Sequence, residues 1–376
     1  MQRDLASFQS TSEANAWLNA DTHRTLTGGG SHHIDEPIKL LTDGAHFDGR
    51  NCRLSSSTGN FIQHGGPGSI PSHTLATHWH GAVYGSRTSS APDRDSVGVW
   101  HHSGLNNRTL DWSLMGCQRV IRVGSADGWG AVNGRIEGGG NCVLSDQACA
   151  DAATPIEIFN STGLVISEIA VRGRADSTGM SLLRMNPATA TDPAAVHYGR
   201  RPHIDTLFIT RVAMQSMDNA DKSGTGASVG VDMRPDDGAI NHVFFNQCIF
   251  DHTTQIGWRI LSRENAAGQI RGIKMTDVRM DVDSGVPIVF RNRSGNPVED
   301  INIAGGTFVV PDAKFAQFRG AGFVNIDIND VTCKTRAFSS TEYELPGGVP
   351  EIEFADGALR SEVRLSAMRA YVWDGS

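Results

Sequence analysis

From Leu164 to Cys333 the hydrophobic positions return six times in one spacing: an apolar residue, then others two, five and seven positions later. The sets are Leu164-Ile166-Ile169-Val171, Leu207-Ile209-Val212-Met214, Val243-Phe245-Cys248-Phe250, Ile273-Met275-Val278-Met280, Ile301-Ile303-Gly306-Phe308 and Ile326-Ile328-Val331-Cys333. Alternation by two within each pair predicts strand, because strand side chains point to the two faces in turn. The step of three between pairs predicts a two-residue bend that restores the inward face. A helix would need a 3.6-residue period instead.

The repeats start 43, 36, 30, 28 and 25 residues apart, so one unit recurs with loops that shorten toward the C-terminus. A period of this size belongs to repeat architectures, in which each unit buries its apolar face on its neighbours. A third strand follows in most units: 180–183, 231–234, 258–261, 288–291 and 316–319. Three strands per coil around an apolar axis predict an all-β chain wound as a parallel β-helix. Ser10-x-x-Glu13 before Ala14, Trp17 and Leu18 reads as a capping box opening a short helix that plugs the first coil. The expected organisation is a cap over 1–22, a single β-helix over 23–335 with long loops at 59–130 and 215–228, and a segment over 336–376 that caps the last coil or contacts other subunits.

The run Val229-Gly-Val-Asp-Met-Arg-Pro-Asp-Asp-Gly-Ala-Ile-Asn-His-Val-Phe-Phe-Asn-Gln-Cys-Ile-Phe250 resembles the coil consensus of right-handed parallel β-helix proteins of the pectin-lyase-like superfamily. The likeness lies in a Gly-Val-Asp strand followed by a Pro-acidic turn. It implies a right-handed β-helix and a carbohydrate-active protein: a polysaccharide lyase, a glycoside hydrolase, or a phage tailspike depolymerase, the last being a homotrimer on a virion. A non-catalytic carbohydrate-binding β-helix is the further alternative. The adjacent Asp pair of polygalacturonases has no match, since Asp251-His252-Thr253 stands in its place, so neither that catalytic set nor a lyase calcium site is carried over.

Composition narrows the partner. The formal charge is −8 with no Lys/Arg block, which speaks against a nucleic-acid face, and no run of 18 apolar residues predicts a membrane span. The first residues lack the apolar segment of a signal peptide, and the resemblance places the protein outside the cell or on a virion surface. An anionic substrate must therefore meet a local cluster of cations. Cys142 and Cys149 close a short loop with a spacing compatible with a disulfide, whereas Cys248 and Cys333 fall on inward positions.

In the resembling enzymes the groove runs along the third strand, so its outward residues carry the candidate chemistry. One outward column reads Ser181, Asp232, Arg259, Val289 and Gln317, and a second reads Leu183, Arg234, Leu261, Arg291 and Arg319. Guanidinium groups bind a uronate carboxylate through two parallel hydrogen bonds, and an arginine there would stabilise the enolate of a β-elimination. Hydrolysis needs two carboxylates instead. Asp232 is the leading one, with Asp236, Asp237, Asp251 or Asp281 as partner and His252 as a base. Each has a plainer reading: Asp232 as the ion-pair partner of Arg259, Asp236-Asp237-Gly238 as a turn, His252 as a solvated loop residue. From the 215–228 loop, Asp218, Asp221 or Lys222 could reach a ligand in that groove, the plainer reading being a simple connecting loop. Among the residues of 59–130, Trp79 and Trp100 offer faces for sugar stacking. His78 and His80 have metal-ligand spacing, but no clear ligand set completes a divalent-metal site, so no cofactor is expected.

Overall fold

The structure, a computed structural model, describes residues 1–83, 97–117, 119–144, 154–173, 181–191, 195, 202–216, 229–253, 255–283, 285–310, 314–336, 351–366 and 369–373. At the step of three in every repeat the backbone passes through a left-handed residue: Glu168, Arg211, Gln247, Asp277, Gly305 and Asp330, with φ of 55°, 52°, 54°, 51°, 68° and 49°. A second such residue stands immediately before each repeat: Gly163, Thr206, His242, Gly272, Asp300 and Asn325. These two kinks bend each coil without breaking its ladder. Asn, Asp and Gly bear the conformation at least cost, and they hold seven of these twelve positions.

The coils stack into two parallel sheets. Eleven strands form the smaller sheet: Ile38–Leu40, Ile62–His64, Val97–His101, Arg119–Val123, Ile156–Ile158, Ser181–Met185, Val229–Met233, Ile256–Ser262, Val286–Asn292, Lys314–Gly320 and Glu351–Ala355. Each pairs in parallel with the next in chain order. A 23-stranded sheet takes up the bent segments between them. The chain is thus a right-handed parallel β-helix with a short N-terminal helix.

Inward residues form ladders along the axis, and Trp258, Phe290, Phe318 and Phe354 make consecutive ring contacts at 4.7, 5.3 and 5.4 Å. Cys142, Cys248 and Cys333 are buried free thiols in this core. Cys142 therefore fills an inward position rather than closing a bridge, and Cys149 lies outside the described residues.

Two expectations are corrected. Among its described residues the segment 59–130 is not mainly loop: Ile62–His64, Leu75–Val83, Val97–His101, Arg108–Cys117 and Arg119–Val123 continue the coils. The repeat is disguised there because inward places are taken by His64, His101, Trp79 and Trp112, all buried. The strand Ser181–Met185 is also out of phase with the outward columns assigned above. Leu183 pairs with Val231 and faces the core, so Arg184 is the register partner of Asp232, and Ser181 pairs with Val229. An odd slip in a strand exchanges its faces. Of the 215–228 loop, Gln215 and Ser216 belong to the strand His203–Ser216, and the remainder, with Asp218 and Lys222, lies outside the described residues.

The helix Thr11–Leu18 closes the first coil by a specific device. Ser10 Oγ accepts from the Glu13 amide at 3.1 Å and the Glu13 carboxylate accepts from the Gln9 amide at 2.9 Å. Ala14 and Leu18 are buried. Asn15 and Asn19, one turn apart, face the edge strand Ile38–Leu40. The Asn15 amide donates to Pro37 O and accepts from Lys39 N, both at 2.9 Å. Asn19 donates to Lys39 O at 2.8 Å and accepts from Leu41 N at 2.7 Å. Two side chains thus replace the strand that the sheet edge lacks, which also blocks edge-to-edge pairing. Replacing both with alanine leaves four backbone groups unpartnered and is expected to cost about 2–4 kcal/mol, seen as a lower thermal midpoint and faster amide exchange across residues 37–41.

Candidate functional site

The outward face of the eleven-stranded sheet carries one unbroken column: Lys39, Gln63, Trp100, Arg122, Glu157, Arg184, Asp232, Arg259, Val289, Gln317 and Glu353, each in register with the next. Its middle is a charge network. Glu157 accepts from Arg122 Nε and Nη2 at 3.2 and 3.1 Å and lies 3.2 Å from Arg119 Nε. Asp232 accepts from Arg259 Nε at 2.9 Å and Nη2 at 2.8 Å, from Arg234 Nε at 2.8 Å and from Ser181 Oγ at 3.1 Å, with Arg184 Nε at 3.7 Å. Five arginines here answer two carboxylates, on a chain whose formal charge is −8.

Asp232 is wholly buried beneath these guanidinium groups. Burial by itself pushes its carboxyl upward, but the hydrogen bonds and charge of Arg259, then the charges of Arg234 and Arg184, overcome this and hold it below the ordinary range. With its oxygens taken, Asp232 fixes arginines and presents nothing to a sugar. Arg259 is the beneficiary: its bidentate grip on Asp232 sets the plane of its guanidinium along the face.

Beside Arg259 the face opens into a pocket of about 280 Å³ lined by Gln255, Arg259, Leu261, Val289, Arg291 and Gln317. Arg291 is half-buried and has no ion pair among the described residues. Its register neighbours are Leu261 on one side and Arg319 on the other. Arg319 donates to Glu353 at 3.1 Å, and Glu353 also accepts from Lys314 at 2.9 Å and Gln317 at 3.1 Å. The Lys314 hydrogen bond is the main cause that draws the Glu353 carboxyl below its ordinary range, aided by Arg319.

The remaining candidates fall elsewhere. Asp251 lies on the 23-stranded sheet, 3.2 Å from Arg279 Nε, and His252 shares its strand Ile249–Thr253, so neither joins Asp232. Asp236 is 3.6 Å from Arg263 Nε, and burial raises its carboxyl. Asp237 lines a separate cleft of about 550 Å³ with His203, Asp205 and Asn241. Trp79 is corrected outright: it is fully buried between Phe61 and Trp112, because its strand turns it inward. Trp100 is outward and half-buried, with Arg122 5.5 Å from its ring and its Nε1 donating to Gly124 O at 2.8 Å.

Arg119, Arg122, Glu157 and Arg184 were not among the sequence candidates. A signal for the last three exists in the triplets Ile121-Arg122-Val123, Ile156-Glu157-Ile158 and Leu183-Arg184-Met185, which share the apolar-charged-apolar form of Val231-Asp232-Met233 and Trp258-Arg259-Ile260.

No protein-family model matches the chain, and no curated protein sequence does. Among solved structures, the Streptococcus pneumoniae surface protein and adhesin PfbA aligns at 10% identity with a TM-score of 0.40, over 99% of each chain. The Agl-KA catalytic domain aligns at 11% identity with a TM-score of 0.41, over 99% of this chain and 68% of its own. Neither alignment supplies a residue or a substrate to the site, whose chemistry follows from its own geometry.

Proposed function

We propose that this chain binds an acidic polysaccharide along the outer face of the eleven-stranded sheet, with a uronate carboxylate seated between Arg259 and Arg291. The observation that carries this reading is the pocket in which an arginine without an ion pair among the described residues faces one whose plane is fixed by a buried aspartate. Two guanidinium groups flanking one pocket suit a planar anion, and Gln317 adds an amide for the sugar hydroxyls. Trp100, five strands further along the same column and so about 24 Å away, offers a partly open ring for a distant sugar of the same polymer. A place outside the cell or on a virion, and a trimeric state, belong to the same proposal.

If the polymer is also cut, the face favours β-elimination over hydrolysis, on one observation. Its carboxylates Glu157, Asp232 and Glu353 are all engaged by cations, and Asp232 and Glu353 are held low, the opposite of what a general acid requires. Arg259 and Arg291 would instead neutralise the carboxylate whose α-proton is removed.

The test is a panel of acidic and neutral polysaccharides, with bound ligand, new reducing ends and unsaturated-uronate absorbance all recorded. Arg291→Ala is expected to weaken binding of acidic polymers about 10–100-fold and to leave thermal stability unchanged. Equal binding of neutral and acidic polymers would refute the reading. Reducing ends without new absorbance would refute elimination.

A further inference from the structure

A second constellation lies on the 23-stranded sheet, away from the arginine face. Adjacent coils place His80, Ser113 and Asn141 in one outward row: Ser113 pairs in register with His80 on one side and with Asn141 on the other. Coils stack at about 4.8 Å, so three side chains of one row reach a common substrate atom. His80 Nδ1 lies 2.8 Å from Ser113 Oγ. All three line a cleft of about 660 Å³ whose rim includes Arg50, His78 and Gly140. A Cβ at Gly140 would meet no heavy atom within 4 Å, so the rim beside Asn141 is open.

The geometry points to a serine–histidine acyl-ester hydrolase site in this cleft; that its esters are carried on sugar hydroxyls rests on the polysaccharide reading above. A nucleophile, a base in hydrogen-bond contact with it, and an amide donor on the far side of the nucleophile are the groups that acyl transfer uses. With its proton on Nε2, His80 accepts the Ser113 hydroxyl proton at Nδ1 while Ser113 Oγ attacks the acyl carbonyl carbon. The Asn141 amide faces the oxyanion. The bond to the sugar oxygen breaks, that oxygen takes the proton from His80, and the free hydroxyl departs. Water then attacks the acyl-serine, yields a proton to His80, and Ser113 recovers it as the acid leaves. One ester and one water become one alcohol and one carboxylic acid. No carboxylate bonds to His80 among the described residues, so the site is a dyad and its turnover is expected to be slow.

The experiment uses the full chain with p-nitrophenyl acetate as substrate and a fluorophosphonate as serine-directed probe, the adduct being located by mass spectrometry. The expected result is turnover by the wild type and an adduct on Ser113. Ser113→Ala abolishes both, and His80→Gln lowers turnover about 10²–10⁴-fold. Because Ser113 is half-buried on an outer strand face, alanine fits there, and the wild-type adduct tests the same point without any variant. Turnover unchanged in Ser113→Ala would overturn the assignment, as would an adduct on another serine. So would the absence of both signals, or labelling of Ser113 at an equal rate in His80→Gln. The arginine face has no part in these readouts, so either reading can fail alone.

Discussion

Asp232→Asn is expected to cost the fold about 3–5 kcal/mol, the loss typical of removing one partner from a buried ion network. The substitution keeps the shape but removes the carboxylate that Arg184, Arg234 and Arg259 share at this point of the sheet. Three guanidinium groups would then crowd one spot, and the nearby Glu157 carboxylate, beside Arg184, is already engaged by Arg119 and Arg122. The loss reads as a lower thermal midpoint and a shift in denaturant midpoint. Its pH dependence distinguishes charge from packing. The carboxyl is held below its unfolded value, so its stabilisation is complete above about pH 4 and disappears as pH falls through the native value. The gap between wild type and variant should therefore be widest near neutrality and close in acid.

A second large effect comes from histidines in the core. His64 and His101 stand where the ladder otherwise has Leu40 and Val123, with ring centroids 4.3 Å apart and no exposed surface. Thr109 Oγ1 lies 2.9 Å from His64 Nε2 and 3.0 Å from His101 Nε2, and Thr74 Oγ1 lies 2.7 Å from His64 Nδ1. No carboxylate pairs with either ring among the described residues, so burial dominates: it pushes His64 well down, aided by His101, and His101 down to about 3. His102, buried beside Trp129, is pushed down to about 4 by the same cause.

In the unfolded chain these rings bind protons below about pH 6.5, whereas the folded chain refuses them. Stability is therefore full above pH 6.5 and is lost as pH falls toward 4 and then 3, by up to about 1.4 kcal/mol per histidine per pH unit. Replacing His64 and His101 together with leucine should flatten this acid limb in pH-dependent thermal melts. An unchanged limb in the double variant would show that other groups govern acid unfolding.

These same residues explain what the sequence conceals. The six regular repeats are legible because their inward places are apolar and each step of three falls on a left-handed residue such as Asp277 or Asp330. The earlier coils escape because a histidine or tryptophan pointing inward reads as a polar or ligand-binding residue until its neighbours are known. Trp79 is the clearest case: its composition suggests a sugar platform and its strand phase makes it core. The site is legible in part. Asp232, Arg234 and Arg259 do meet, but the third arginine on Asp232, Arg184, comes from the strand Ser181–Met185, whose register the spacing alone places one residue off. That Arg291 lacks an ion pair among the described residues is a fact of three-dimensional bookkeeping, invisible in any spacing.

The central claim is that this face recognises a carboxylate. Its most direct test is calorimetric titration with an acidic oligosaccharide and with the same oligosaccharide after methyl esterification of its uronates. The free acid is expected to bind with an affinity that weakens with added salt and is lost on esterification, with Arg291→Ala giving the same loss for the unmodified ligand. Equal affinity for the acid and its ester would contradict it.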